Sequence, residues 1–586
     1  MTQIRQKAPR LLSLLLSFLI ASAQTVPALA ASREFAVRSA AAAPELRAPV
    51  PALLPGAGFL TPMAVPAAAS QLPPAATALP TASVQAANPV PVLPAAAGQA
   101  ALAAGAEPTA AQALAPVSAE QASLDGAKLF DDAEVRGKTV ILVGTRSSRP
   151  FILEETVRVA AKLGLKLVLV DRQENREHSR AVVADANFIA APIDKRDDAT
   201  IRAITKTIAD YAAKNKVDAV VAFRSHHAQL VGRIVDELKV IGVPGKAVRT
   251  ADDKAKAREK LNEVPELAVA SRKVKSAEEA RRAFTELGGG KFVMKSNHGE
   301  NSQFIQMNVD SPEMAEATYR KMEAGLKEFA KQTEATSTIF NRYPGILIER
   351  QLEKAPGTHE ASVEMVMQNG KAVFAMVSDT HGIGVNEEYA GGSLVFPSQQ
   401  APDVQNALIA AAEKATAHIG IKNGNARVDI LMTPQGPAII EVNPYLGGAA
   451  IWKAVHVLTG MSLVEYGLRA LLGLRLAPAS APNGVVDYRF AAAPANGVIE
   501  SIEGLDQAEA SPGVKHVQLL ADKGDRVSAP RGNSFEEWAE IIAHGKTLAE
   551  ARSRAVAGFR KLVSKIASVM TGDFLQPGGP GGAPAK

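Results

Sequence analysis

Past residue 126 the apolar positions fall into short unbroken runs separated by helical stripes. Residues 139–143, 166–171 and 217–222 read as strands, and 152–163, 200–215 and 229–238 as helices. Unbroken Val/Ile/Leu runs alternating with helices predict a parallel α/β sheet covered on both faces. A helix over 251–261 follows, opened by Thr250-Ala-Asp-Asp253 as a capping box with Asp253 at its third helical position. Gly288-Gly-Gly-Lys291 then turns into a strand ending on Lys295, with a return strand at 303–306 after the polar loop 296–302. Further strands are expected at 345–349 and 359–364. A glycine-rich loop over 382–397, carrying Glu387, Glu388 and Tyr389, reads as a lid on the substrate side. A helix at 404–419 leads to two β-rich segments around residue 435. Beyond them the pattern predicts helices at 451–458 and 462–472, strands at 491–499 and 514–519, and a closing helix to about residue 569.

The pair of segments around residue 435 carries the densest chemistry. Arg427 to Met432 alternates polar and apolar, Thr433-Pro-Gln-Gly-Pro437 is a turn cluster, and 438–443 is again β-rich. A three-residue loop Pro434-Gln435-Gly436 places Asp429 opposite Glu441 and Arg427 opposite Asn443, all four on one face. Two carboxylates facing each other across a sheet repel. A divalent cation between them removes the conflict, and Asp, Glu and an Asn carbonyl are hard oxygen ligands suited to Mg2+. A solvated acidic hairpin is the alternative, and a one-residue slip in the turn would turn one strand's set away.

Composition narrows the classes. Charged residues make up 21% of the chain and the net charge is +5, so no polyanion-binding field and no nucleic-acid partner is expected. With no cysteine, thiol catalysis, disulfides and thiolate metal sites are excluded. Arg5, Lys7 and Arg10 precede an apolar run over 11–23 and an Ala28-Leu-Ala30 site, the pattern of an export signal cut after Ala30. The run is short for a membrane span, so no stable span is expected after cleavage. Residues 31–125 are Ala/Pro-rich, with no charged residue between Ala48 and Ala106, and read as a disordered tether; 571–586 reads as a flexible tail. Gly144-Thr-Arg-Ser-Ser148 after the first strand lacks G-x-G-x-x-G, which weakens a dinucleotide-binding reading. Arg224-Ser-His-His227 stands at a strand's C-terminal end, where either substrate binding or ordinary loop polarity explains it.

Arg427-Val-Asp429 followed by Glu441-Val-Asn-Pro444 and Gly447-Gly448 resembles the metal-binding end of the ATP-grasp superfamily of carboxylate–amine ligases. Asp253-Lys254 with Arg258 resembles the D-K-x-x-x-R element that opens that domain in many members. The resemblance covers 139–569 and implies a fold and a reaction. The expected fold class is α/β with α+β ATP-grasp character: a parallel α/β domain over 126–249, a two-lobed ATP-grasp domain over 250–475, and a small C-terminal α/β cap over 476–570. The expected reaction joins a carboxylate, an amino acid by preference, to an amine through an acyl phosphate; a degenerate domain that binds nucleotide or a partner without turnover is the alternative.

By that resemblance Lys254 and Lys295 bind ATP phosphates, Glu349 and Leu352 sit at the adenine, and Glu360 binds the ribose hydroxyls. Asp429, Glu441 and Asn443 hold Mg2+, for which Mn2+ could substitute. Many relatives carry Arg after the Asn-Pro, where this chain has Tyr445; Arg427, matching the R-x-D arginine of D-alanine–D-alanine ligases, is the expected neutraliser of the acyl phosphate. The implied partners are small-molecule acids and amines and, for assembly, a homodimer. ATP dependence favours a cytoplasmic site and the N-terminus an exported one, with export as the first expectation.

Overall fold

The computed structural model describes residues 131–144, 151–180, 183–195, 197–223, 225–298, 304–331, 344–381, 392–448, 450–527, 529 and 537–568. All of these fall in one of the chain's two units, 113–586. The signal (1–30), the tether (31–125), the tail (571–586), Thr145–Ser148, Arg224, the loop residues 299–302 and the lid residues 382–391 lie outside the described residues.

The first sheet is parallel, as the unbroken apolar runs predict. It contains β1 (Thr139–Val143), β2 (Lys166–Asp171), β3 (Phe188–Ala190) and β4 (Ala219–Val221) in the order β3-β2-β1-β4. Every residue of β1 is buried, with Val140 and Leu142 in one core cluster and Ile141 and Val143 in another, so both faces are covered. The short, half-exposed β3, only three residues long, is not expected from the pattern.

The second sheet is antiparallel: β5 (Ser271–Val274), β6 (Phe292–Ser296), β7 (Ile305–Val309) and β8 (Ile346–Arg350), ordered β5-β8-β6-β7. Period-two alternation sends Phe292, Met294, Ile346 and Ile348 into a core with the helices Ala277–Glu286 and Pro312–Ala330. Lys295 and Glu349 therefore point to the other face.

The central sheet has eight antiparallel strands. Its members are β9 (Glu360–Gln368), β10 (Lys371–His381), β11 (Ser393–Phe396), β12 (Gly424–Thr433), β13 (Gly436–Asn443), β14 (Val485–Ala492), β16 (Val514–Leu519) and β18 (Glu537–Gly545). They run in the order β13-β12-β9-β10-β11-β14-β18-β16, while β15 (Gly497–Glu503), β17 (Arg526–Val527) and β19 (Val563–Ser568) form a separate three-stranded sheet. On one face of the central sheet Ala361, Val363, Met365, Val428 and Ile430 pack against the helix Pro402–Ile419. The intervening residues Ser362, Glu364, Arg427 and Asp429 are thereby turned to the opposite face.

Four expectations are corrected. The helix expected over 251–261 is broken at Asp253: one helix spans Gly245–Asp252, and Asp253 is the N-cap of the next, Lys254–Leu261, its side chain accepting from Lys256 N. Thr250 is therefore no cap. Within the stretch read as a loop to Pro397, Ser393–Phe396 is a strand between β10 and β14. The single strand expected over 491–499 is two strands in different sheets, split at Ala493-Pro-Ala-Asn496, where a proline removes a ladder donor. The closing helix ends at Phe559, and β19 follows it. Among the described residues no helix is long and apolar enough to cross a membrane.

Candidate active site

The β12–β13 hairpin has a tighter turn than its composition suggests. Thr433 pairs with Gly436, so the loop is the two residues Pro434-Gln435, and Gly436 at φ +117° supplies the backbone freedom. Thr433 Oγ1 donates to Gly436 O at 2.8 Å and accepts from Gln435 N at 3.2 Å. Continued without interruption, this register would set Glu441 opposite Val428 and aim it at the wrong face. A bulge at Ile440, between the pairs Ile430↔Ile439 and Asp429↔Glu441, inserts one residue and restores the alignment. Arg427 then faces Asn443. The expected pairs are present although the expected turn is not.

On this face Arg427 is held from three sides. Its Nε donates to Asp429 Oδ1 at 3.1 Å, Nη1 to Glu364 Oε1 at 2.8 Å and Nη2 to Ser362 Oγ at 2.7 Å. Ser362 Oγ in turn donates to Asp429 Oδ1 at 2.6 Å. Glu364 is 1% exposed; burial pushes its carboxyl up to about 7, against the opposing pull of Arg427. Glu360, at the exposed start of β9, shares the face of Ser362 and Glu364.

Two lysines approach from the other side, each on a carboxylate. Lys254 Nζ lies 3.0 Å from Glu441 Oε1, and Lys295 Nζ 2.5 Å from Glu349 Oε1. Burial alone would raise the Glu441 pKa, but Lys254, with Lys295 and His298 beyond it, holds it below the ordinary carboxylate range. Glu349 is likewise held low against burial, by Lys295 and then Arg258. Arg258, 3% exposed, donates from Nε to Glu349 Oε2 at 3.1 Å and from Nη2 to Ile439 O at 2.7 Å. One guanidinium thus ties the second sheet to the bulge that aims Glu441. With both Glu349 oxygens engaged, contact of that carboxylate with adenine would require breaking a buried pair. Asn297, fully buried, accepts from Lys254 N at 3.0 Å through its carbonyl and from Ala255 N at 2.9 Å through Oδ1, fixing the helix that presents Lys254.

Lys254, Arg258, Lys295, Glu349 and Glu441 line one pocket with Ala251, Leu261, Ile440 and Val442. Arg427, Asp429 and Asn443 stand beside it on the hairpin. Leu352, half-buried two residues past β8, and Glu360 lie outside that lining. Arg258, Asn297, Ser362 and Glu364 were given no role in the sequence reading. A cap-type Asn directly after a lysine-bearing strand and a second Glu four residues past Glu360 were the available signals.

The donor set fits a hard cation. Among the described residues the hydrogen bonds to Asp429 all fall on Oδ1, which leaves Oδ2 open, and the nearest approach of Lys254 to Glu441 is at Oε1. Asn443 Oδ1 accepts from Tyr445 OH at 2.8 Å and keeps a second lone pair. No group of three His, Cys, Asp or Glu among the described residues could hold an ion. Two carboxylates and an amide suit Mg2+, which completes its shell with water and substrate phosphates.

A family model described as an ATP-grasp domain matches residues 251–449, and one described as L-amino acid ligase C-terminal domain 2 matches 489–567. By that match residues 251–449 are an ATP-grasp domain. Carnosine synthase 1 of Homo sapiens is 25% identical over 367 residues, 59% of this chain and 41% of that protein. Carnosine synthase 1 of Gallus gallus is 29% identical over 187 residues, 30% of this chain and 20% of its own length. The chain spans between 20% and 65% of the length of the curated relatives it matches. An L-amino acid ligase from Bacillus licheniformis superposes at TM-score 0.57 and 18% identity, over 74% of this chain and all of that one. The biotin carboxylase domain of Hydrogenobacter thermophilus 2-oxoglutarate carboxylase, solved with MgADP, superposes at TM-score 0.54 and 18% identity, over 73% of this chain and 91% of that one. At these identities the superpositions establish the fold. Within residues 251–449 the second sheet and the strands β9 to β13 of the central sheet form two lobes, and the pocket of the two lysines lies between them.

Proposed function

We propose that the chain is an ATP- and Mg2+-dependent ligase that joins a carboxylate, an amino acid by preference, to an amine. The observation that carries this reading is the joint placement of Arg427, Asp429, Glu441 and Asn443 on one face with Lys254 at 3.0 Å from Glu441. In the reaction, a carboxylate oxygen attacks the γ-phosphorus of ATP and the bond to the ADP oxygen breaks, giving an acyl phosphate. The amine then attacks the acyl carbon, the C–O bond to phosphate breaks, and the amine gives up a proton. Lys254 and Lys295 hold phosphate oxygens, Leu352 and the backbone around Glu349 meet the adenine, and Glu360 takes the ribose hydroxyls. Asp429, Glu441 and Asn443 would hold Mg2+, which neutralises charge on the phosphates when bound. Arg427 faces the oxyanion of the transferred phosphoryl group. Positioning and charge neutralisation carry the catalysis.

Two of the relatives support the substrate class: one solved neighbour is an L-amino acid ligase and the curated ones include carnosine synthases. Phosphate release by the full chain with MgATP and pooled L-amino acids tests the reading; no release with any pool would favour the second reading, an exported nucleotide- or partner-binding domain without turnover. That second reading draws on the signal-like N-terminus. Export itself is part of the proposal, and fractionation of cells carrying a tag after Lys586 reads it directly.

A further inference from the structure

Glu364 has no place in the reaction as described, yet it is 1% exposed on the face that carries Arg427 and Asp429. It pairs directly across the strands with Arg427 and accepts its Nη1 at 2.8 Å. The same carboxylate accepts the N–H of Gly447, in the loop that follows Asn443. The fit there is close: a Cβ on Gly447 would stand 2.6 Å from Glu364 Oε2 and 2.8 Å from Oε1, with no positive φ to explain the glycine. A Cβ at 447 would therefore displace the carboxylate, while the backbone there places no demand for glycine. Arg427 spends Nε on Asp429, one Nη1 N–H on Glu364 and one Nη2 N–H on Ser362, and Nη2 also stands 3.1 Å from Asp429 Oδ1, so the second Nη1 N–H is left for a substrate oxyanion. A guanidinium fixed at three points has that remaining donor preset in direction.

We propose that Glu364 is a positioning residue: it aims the remaining Nη1 donor of Arg427 at the transferred phosphoryl group and clamps the Gly447 loop beside it. The inference rests on the reading of Arg427 given above. Burial that raises its carboxyl to about 7 is the expense of placing a charge there, and a purely structural contact would be met as well by a neutral side chain.

Glu364→Gln keeps the volume and removes the charge. Gly447→Ala leaves Glu364 intact and pushes its carboxylate away. The full chain loaded with MgADP is titrated with sulfate, a non-titrating stand-in for the phosphoryl group, and turnover is followed with pooled amino acids. Arg427→Ala should weaken sulfate at least tenfold. Glu364→Gln and Gly447→Ala should each weaken it severalfold and lower kcat, with MgADP affinity and KM for ATP unchanged within twofold. The double variant Arg427→Ala/Glu364→Gln should bind sulfate no more weakly than Arg427→Ala alone, because Glu364 acts through Arg427. Full sulfate affinity in Glu364→Gln beside an impaired Arg427→Ala overturns the positioning role alone. Additive losses in the double variant overturn it too. Unchanged affinity in Arg427→Ala, or no sulfate binding by the wild type, overturns the reading of Arg427 and the proposal with it.

Discussion

Replacing Glu349 with Gln tests the buried charge network that joins the two lobes. Its carboxylate stands between Lys295 at 2.5 Å and Arg258 at 3.1 Å, and the three side chains are 7%, 7% and 3% exposed. Glutamine keeps the volume but leaves two buried cations without their shared anion. Breaking a buried pair from one side typically costs about 3–5 kcal/mol, because the surviving charge stays desolvated. For a chain of this size that corresponds to a melting temperature about 3–6 °C lower. The site also predicts a partial rescue. Nucleotide phosphates return negative charge to Lys295, so MgADP should raise the melting temperature of the variant by more than it raises that of the wild type. The pH dependence has a definite sign. Glu349 is held below its ordinary value of 4.5, so its contribution is fully present above that value and disappears as the pH falls through the folded pKa. The gap between wild type and variant should thus be level above about pH 5 and close in acid. Thermal melts with and without MgADP across pH measure all three features. A variant melting within about 2 °C of the wild type, with an equal nucleotide shift, would show that the network is solvated and its burial irrelevant.

Lys254→Met should weaken MgATP at least tenfold in calorimetry, about 1.4 kcal/mol, while the fold survives because the carboxylate it leaves, Glu441, is 31% exposed; unchanged affinity would remove Lys254 from the phosphate site. Glu364 has the opposite linkage to Glu349: its folded pKa is raised from 4.5 to about 7, so the wild type should lose about 3 kcal/mol at this site as the pH rises from 4.5 to 7. Glu364→Gln should flatten that part of the urea-denaturation profile, and a parallel profile would contradict the burial argument. Tyr445→Phe removes the 2.8 Å bond that orients the Asn443 amide and should raise the Mg2+ concentration needed for half-maximal activity severalfold, with KM for the amino-acid pool unaltered.

The sequence reading succeeded where one pattern decided the outcome. Fully apolar β1 and β2 could only be interior parallel strands, and the alternation of Arg427, Asp429 and Ile430 set which face carries charge. It failed where one residue had two local roles. Asp253 suits a third helical position as well as a cap, and tertiary contacts from Asn297 decided for the cap. That choice matters, since it puts Lys254 at the first turn of a helix, where a cation opposes the dipole and is tolerated because Glu441 faces it. The turn at 434–435 and the bulge at Ile440 were two errors that cancelled in the pairing: a bulge has no side-chain signature, and its anchor, Arg258, lies 181 residues away. Glu364 was readable as a strand residue, but its partners Arg427 and Gly447 come from other parts of the chain.

The direct test of the metal clamp is manganese electron paramagnetic resonance on the full chain titrated with Mn2+ in the presence of ADP. The wild type should bind one Mn2+ per chain with ADP, and Asp429→Asn and Glu441→Gln should each weaken that metal at least tenfold while the chain stays folded. Undiminished Mn2+ binding in both variants would contradict the assignment of the β12–β13 face as the metal site.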